Sequence, residues 1–353
     1  MQETVFVAMS GGVDSSAAAF LLLEEGYKVC GITMKHWSGG TSAVEDASKV
    51  AAFLGIPHYV CDIQDIFQRN VIDYFCREYL VGRTPNPCVI CNKKIKFGAL
   101  FQRARELGAD YLATGHYVRV AYDDQRRRWV LKKGVDKKKD QSYVLYTLSQ
   151  NTLPYLKFPL GNYQKNEVRQ IIARAGLPVA GKKESQEICF IPDHDYRRFL
   201  LKSAPQTAEP GVIYDIQGNP VGEHRGVAFY TIGQRRGLGL ALGYPAYVIE
   251  IDPVRNALVV GKREDLLVSG LIASDVNLIA LDSLLEPYPA QVKIRYTFSP
   301  AEAVISPGEK GEIIVMFSQK QKAVTPGQAV VFYQDDLVLG GGIIDRRIQG
   351  ALC

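Results

Sequence analysis

The chain begins with a strand, a glycine turn and a helix in immediate succession, and then repeats the alternation. Residues 4–9 read as a buried strand, 15–25 as an apolar helix closed by Gly26, 29–34 as a second strand, 44–54 as a helix stopped at Gly55, and 58–61 as a third strand. A glycine just past the last apolar repeat supplies the left-handed backbone on which helices end. Strands separated by helices cannot pair as hairpins, so they lie parallel and the crossover helices cover the sheet. The expected fold class is α/β, a Rossmann-like parallel sheet with helices on both faces. Helical patterns at 66–79, 93–107 and 165–175, with a short strand at 111–113, extend the same unit.

At 353 residues the chain exceeds one hydrophobic core, so more than one domain is expected. The texture changes after about Lys202. Short β-rich runs at 211–216, 227–231, 246–251 and 258–260 alternate with Gly and Pro turns, and further runs follow at 292–296, 313–317, 329–333 and 337–344. The expected division is 1–202 for the α/β catalytic unit, 203–268 for a central β-rich domain and 269–353 for a C-terminal, barrel-like β domain.

No stretch approaches the roughly 18 apolar residues of a membrane span, and Met1 leads into a strand without a charged leader. Seven scattered cysteines, an odd number, do not form a disulfide framework. A cytoplasmic protein without membrane attachment is expected. The net charge of +5 is unevenly spread: Arg126 to Arg128, Lys132, Lys133 and Lys137 to Lys139 crowd one stretch, with Tyr122 and Trp129 interleaved in an apparent β-hairpin. Such a run is either a solvated face or an electrostatic grip on nucleic acid.

The first strand ends in Ser10-Gly11-Gly12-Val13-Asp14-Ser15-Ser16, directly before a helix. Glycines let the backbone approach an anion, and the free amides at a helix start attract phosphate oxygens. Ala8, Met9, Ser10, Gly11, Gly12, Val13, Asp14 and Ser15 are the candidate nucleotide-binding residues. Met34 and Gly115 lie where adenosine would rest at the carboxyl edge of such a sheet. Asp14 is the candidate magnesium ligand. The lysine of a Walker loop is missing, and the plain alternative is an ordinary Gly-rich turn with a capping serine. The segment resembles the pyrophosphate loop (PP-loop) of the N-type ATP pyrophosphatases, which implies cleavage of ATP between its α- and β-phosphates.

Further segments narrow the resemblance: Gly82-Arg83-Thr84-Pro85-Asn86-Pro87-Cys88-Val89-Ile90-Cys91-Asn92, Ala113-Thr114-Gly115-His116-Tyr117, Lys139-Asp140-Gln141-Ser142-Tyr143, Ser185-Gln186-Glu187-Ile188-Cys189-Phe190-Ile191, Tyr230-Thr231-Ile232-Gly233-Gln234, and Thr325-Pro326-Gly327-Gln328. In this order they resemble the tRNA-specific 2-thiouridylases over nearly the whole chain. That resemblance implies an enzyme that adenylates the 2-oxygen of a flipped wobble uridine with MgATP and then replaces AMP by sulfur. It implies that Cys189 receives a persulfide and that Cys91 attacks as nucleophile or closes a disulfide as sulfur leaves. It places Asn86, Pro87 and residue 88 at the target base, and His116, Lys139, Asp140, Gln141, Arg295, Tyr296 and Gln328 on tRNA. A cysteine desulfurase or sulfur-relay protein would supply the sulfur.

Cys91 precedes a Lys-rich helix start, a position expected to lower a thiol pKa. Cys30, Cys61 and Cys76 fall in strand or helix patterns and read as small buried hydrophobes, and Cys353 reads as uninvolved. Cys88 departs from the best-known bacterial branch of the family, which carries aspartate there. Cys88, Cys91 and Cys189 together could ligate a [4Fe–4S] cluster with one iron open to sulfide. A zinc site would need a fourth ligand, for which His116 is the candidate. Two other functions remain open at this point: a PP-loop ligase acting on a small molecule, and a non-catalytic tRNA-binding protein.

Overall fold

The computed structural model describes residues 2–36, 41–179, 181–182, 188–191, 193 and 195–350. Strands β1 (Thr4–Ala8), β2 (Lys28–Lys35), β3 (His58–Asp62) and β4 (Tyr111–Ala113) are joined by helices that include α1 (Val13–Glu24) and α2 (Thr41–Leu54). All four strands are parallel, as the alternation requires, and with a later strand β7 (Leu156–Lys157) they form a sheet of order β3-β2-β1-β4-β7. Successive side chains of a strand point to opposite faces. Val5 and Val7 accordingly pack with Ala17, Leu22 and Val50, while Phe6 packs with Ile32, Leu112 and Leu100 on the other side. Both faces are therefore buried.

The second helical layer is two long, irregular helices. One runs from α3 (Gln64–Phe67) through a π-helical turn (Gln68–Ile72) into α4 (Asp73–Leu80). The other begins at α5 (Pro87–Ile90), continues as π-helix over Cys91–Leu100 and ends as α6 (Phe101–Glu106). Pro87 at the first turn suits a residue without an N–H, and the Asn86 side chain caps the helix by accepting from the Val89 amide. Helices α7 (Lys165–Arg174) and α8 (Tyr196–Ser203) complete the unit.

Strands β8 (Gly211–Asp215), β9 (Pro220–His224), β10 (Tyr247–Asp252) and β11 (Ala257–Gly261) form a small sheet of order β10-β11-β8-β9. The strand expected at 227–231 is instead one 3-10 turn (Val227–Phe229) entered through Gly226 at φ 132. Ala228, Phe229 and Tyr230 are buried against Phe75 and Tyr79, so their apolar pattern reflects packing and not strand pairing.

The last six strands are β12 (Leu267–Leu278), β13 (Tyr288–Lys293), β14 (Ala301–Pro307), β15 (Ile313–Lys322), β16 (Ala329–Gln334) and β17 (Leu337–Ile348). Their order is β12-β15-β14-β13-β16-β17, and β17 pairs back onto β12. This closes an antiparallel barrel and removes the sheet edges. The run expected as a strand at 292–296 ends early, because β13 stops at Lys293 and leaves Arg295 and Tyr296 in the following turn.

The three segments share cores. The hairpin of β5 (Val118–Asp123) and β6 (Arg128–Lys133), from the first part of the chain, pairs with β17 of the barrel. Tyr143, Tyr146 and Leu145 bury beside Val331, Tyr333 and Val338 in the same cluster as Phe6 and Ile32. Arg83 donates to Glu78, Asp345 and the Ile344 carbonyl, tying helix α4 to the barrel. The Thr84 amide donates to the Pro326 carbonyl, and Gln328 Nε2 donates to the carbonyls of Thr84 and Pro85 at 2.9 and 3.3 Å.

The turn at Thr325–Gln328 thus seats the loop that carries Asn86, Pro87 and Cys88. Gly327 sits at φ 90, and a Cβ there would lie 2.8 Å from the Thr84 amide nitrogen. Gly327→Ala should therefore destabilise the protein by about 1–3 kcal/mol, from backbone strain and collision together. Urea unfolding checks this, with the midpoint expected to fall at an unchanged slope.

Candidate active site

A cavity opens at the carboxyl ends of β1, β2 and β4, lined by Ala8, Met9, Ser10, Asp14, Ser15, Ile32, Met34, Lys96, Thr114, Gly115, His116 and Gln141. This is the edge at which parallel α/β sheets take ligands. Ser10 and Ser15 hold the turn's shape: the Ser10 amide donates to Ser15 Oγ at 3.1 Å, and Ser15 Oγ donates to the Gly12 carbonyl at 3.2 Å. Gly11 has φ 65, and a Cβ there would meet Asp46 Cβ at 2.5 Å. Gly115 comes equally close to the Asp14 backbone, where a Cβ would lie 2.6 Å from its carbonyl carbon. Gly11 and Gly12 therefore shape the loop from behind, and Val13 is buried in the core; none of the three lines the cavity.

Asp14, the candidate magnesium ligand, is engaged within the protein. Its Oδ1 accepts from Tyr117 Oη at 2.7 Å and from Lys165 Nζ at 2.6 Å. The carboxylate anchors the loop to α7, and a metal ion would have to compete with that lysine. Magnesium instead fits as the counter-ion that accompanies the phosphates of a nucleotide.

Lys96 was not singled out as a site residue, although it lies in the helix that carries Cys88 and Cys91. It lines the cavity, and its Nζ is 3.4 Å from His116 Nε2. His116 is buried, which holds its imidazole well below the usual histidine range, with Lys96 adding to the shift. A lysine can only donate, so Nε2 of the neutral ring accepts and Nδ1–H donates to Thr114 Oγ1 at 2.7 Å. Both ring nitrogens of His116 thus have partners within the protein.

Cys88, Cys91 and Cys189 converge beside Lys96, close enough to act on one another electrostatically. Cys88 and Cys189 are exposed and Cys91 is half-buried. The expectation of a lowered Cys91 pKa is overturned. Cys91 lies within a continuous helix and not at a helix start, so no free amides face its sulfur. Desolvation pushes its thiol up to about 12, the lysine cation pulling the other way and the two neighbouring thiols pushing further up. Desolvation likewise pushes Cys189 up to about 11 and raises Cys88, again opposed by Lys96.

All six described cysteines are free thiols, so the implied disulfide is not formed. Cys30 and Cys76 are buried and Cys61 partly so. Residues 185–187 of the Cys189 motif, and Cys353, lie outside the described residues. Among the described residues no three His, Cys, Asp or Glu side chains gather closely enough to hold a metal ion. As arranged, the three thiols do not fit a cluster, nor His116 a zinc site.

The residues placed on tRNA by resemblance occupy varied settings. Gln141 Oε1 accepts from the Tyr117 amide. Asp140 accepts from Gly134 and Ser142 and so organises its own turn. Lys139 precedes it, its amide donating to the Asp136 carbonyl. Arg295 donates to the Ile232 carbonyl and to Thr325 Oγ1, joining the barrel to the central sheet. Tyr296 is 42% exposed with Lys293 over its ring, and its phenol pKa is raised by desolvation first, then by Asp140 and Cys88. In the basic run, Arg126 pairs with Asp123, and Arg128 donates to Asp282 and to the Ile279 carbonyl. Those two arginines brace the hairpin, while Arg127 projects from its turn at φ 52.

Three family models match in succession: a tRNA methyl transferase HUP domain over residues 3–193, a tRNA methyl transferase PRC-barrel domain over 197–262, and an aminomethyltransferase β-barrel domain over 268–344. A tRNA-specific 2-thiouridylase of Caldanaerobacter subterraneus subsp. tengcongensis is 50% identical over 99% of this chain and 100% of its own length. The chain belongs to the tRNA-specific 2-thiouridylase family. The family's members are tRNA sulfurtransferases, and membership makes this chain one of them. A second relative so named, from Carboxydothermus hydrogenoformans, is 50% identical over 98% of this chain and 99% of its own.

Among solved structures, the U34-tRNA thiolase NcsA from Methanococcus maripaludis with its [4Fe-4S] cluster is 22% identical at a TM-score of 0.37, covering 57% of this chain and 67% of that one. A 4-thiouridine synthetase–RNA complex with bound ATP is 16% identical at a TM-score of 0.38, covering 58% and 51%. Likenesses this low carry no argument about the site. No described helix is long and apolar enough to cross a membrane.

The raised thiol pKa has a direct consequence. Only the thiolate alkylates, and a group whose pKa is raised ionises later as pH climbs. Iodoacetamide labelling of Cys91 in the resting protein, read by peptide mass spectrometry, should still be accelerating above about pH 10, where a thiol with the ordinary pKa of about 8.5 has levelled off. A rate that levels off below about pH 9.5 would contradict the desolvated environment.

Proposed function

We propose that this chain performs ATP-dependent 2-thiolation of the wobble uridine of tRNA by adenylation followed by sulfur transfer. One observation carries the reading: the cavity beside the phosphate loop and the cluster of three thiols share a wall residue, Lys96, which acts electrostatically on every one of those sulfurs. A nucleotide and a sulfur nucleophile held there would meet over a single substrate atom. Ala8, Met9, Ser10, Asp14, Ser15, Met34 and Gly115 would bind ATP, with Gly11, Gly12 and Val13 shaping the loop. Asn86, Pro87 and Cys88 would face the flipped base, and Lys139, Asp140, Gln141, Arg295, Tyr296 and Gln328 would form or support the tRNA surface.

The base loses its N3 proton as its 2-oxygen attacks the α-phosphorus, and pyrophosphate leaves. The terminal sulfur of a persulfide on Cys189, loaded by a cysteine desulfurase or relay protein, then attacks C2. AMP departs with the C2–O electron pair. Cys91 as thiolate attacks the Cys189 sulfur, releasing the 2-thiouridine anion, which takes up a proton at N3, and leaving a Cys91–Cys189 disulfide for an external thiol to reduce. Flipping is needed because a stacked base hides its 2-oxygen.

Purified protein with unmodified tRNA and MgATP should release AMP only when tRNA is present, and 2-thiouridine should appear once a persulfide donor is added. Cys91→Ser and Cys189→Ser should each lower thiolation by at least about 100-fold, the scale of losing a catalytic group, while AMP release persists. Nucleoside mass spectrometry and AMP chromatography read the two halves separately. AMP release without tRNA, on a small-molecule acceptor, would favour the ligase, and no AMP under any condition the binding protein. Cys88→Ser should retain thiolation; loss of both activity and protein-bound iron in that variant would move the chemistry onto a cluster.

A further inference from the structure

Phosphoryl transfer is catalysed chiefly by positive charge held where charge develops in the transition state. The glycine loop of this chain lacks a lysine of its own, and the nearby cations are already engaged. Lys165 pairs with Asp14, and Lys182 bonds Asp46 and the Gly11 carbonyl. Among the described residues lining the cavity, Lys96 carries the one positive charge, since His116 is neutral. No carboxylate pairs with Lys96 among the described residues. Its Nζ is oriented by a neutral acceptor, His116 Nε2, whose ring is fixed in turn by Thr114.

We infer that Lys96 is a catalytic residue of the adenylation step, supplying from the cysteine-bearing helix the α-phosphate charge that the glycine loop does not provide. The inference rests on the adenylation chemistry proposed above. As the base 2-oxygen bonds to the α-phosphorus and the bond to the bridging oxygen of pyrophosphate breaks, charge builds on the non-bridging oxygens of the α-phosphate. Lys96 stabilises that charge without giving up its proton. It then faces the same phosphate when AMP leaves with the C2–O electron pair, beside the thiols that attack. It shares its helix with Cys91, the thiol proposed to release the transferred sulfur.

The test uses the full-length protein with unmodified tRNA and MgATP. Lys96→Met should lower kcat for tRNA-dependent AMP release by about 100-fold or more, with KM for ATP within about threefold and tRNA affinity unchanged. Lys96→Arg, which keeps the charge, should recover at least about tenfold of that loss. Lys96→Gln is the second neutral variant should methionine disturb folding, and far-ultraviolet circular dichroism accompanies each protein. Wild-type kcat in a folded neutral variant overturns the role of Lys96 and leaves the proposed function intact. So does an arginine variant no better than the neutral ones. A wild-type protein that makes no AMP with tRNA overturns the function itself.

Discussion

The pairing of Asp14 with Lys165 and Tyr117 holds the site together. A carboxylate in the first turn of a helix is favoured by the helix dipole, but here it is partly enclosed by protein and requires a counter-charge. Lys165, itself nearly buried, provides it from the start of α7, and Tyr117 reaches it from just beyond β4. The one carboxylate therefore fastens the glycine turn to two other elements. A partly buried pair of this kind is weak evidence for stability, because desolvation offsets much of the attraction. Its contribution is geometric: the pair fixes the glycine turn against α7 and Tyr117.

The same economy of parts joins the domains. Arg83, Thr84 and Gln328 fix the loop before Pro87 to the barrel turn at Thr325–Gln328, and Arg295 spans from barrel to central sheet. Residues that resemblance places against RNA are here bonded to backbone carbonyls. The two roles are compatible, since a side chain immobilised by one donor interaction presents the neighbouring surface at lower entropic cost. The shared cores act in the same direction: Tyr143 and Tyr333 bury in one cluster with the parallel sheet, so the barrel cannot swing away without exposing them.

Much of the architecture was legible because the physics behind it is local. Helix-ending glycines, strand alternation and the Ser-Gly-Gly turn each announce themselves within a few residues. The run at 227–231 misled because burial alone produces an apolar stretch, and only the backbone at Gly226 decides that it does not pair. The hairpin of β5 and β6 was visible as a hairpin, but its docking on β17 depends on a strand some two hundred residues away and leaves no local mark. Asp14 could be picked out as an acidic residue in a phosphate loop, whereas its partner Lys165 sits far along the chain in an unremarkable helix start. Lys96 was passed over for the opposite reason, since one lysine among several at the head of a helix looks like ordinary surface charge.

The thiols show most clearly why position along a helix does not settle reactivity. A cysteine at a helix start faces free amides and a positive dipole; the same residue a turn further in faces only satisfied backbone. Cys91 is in the second situation, because the helix already begins at Pro87 and the Cys91 amide bonds back to the carbonyls of Pro87 and Cys88. What remains to act on its sulfur is low polarity, two like-charged neighbours once ionised, and one cation. Desolvation wins over that cation at rest, so the three thiols hold their protons. A thiol kept neutral is slow to oxidise or to exchange, which protects three neighbouring thiols from one another. Activation then requires a change in the surroundings of the sulfurs, either added positive charge or better solvation of the thiolate.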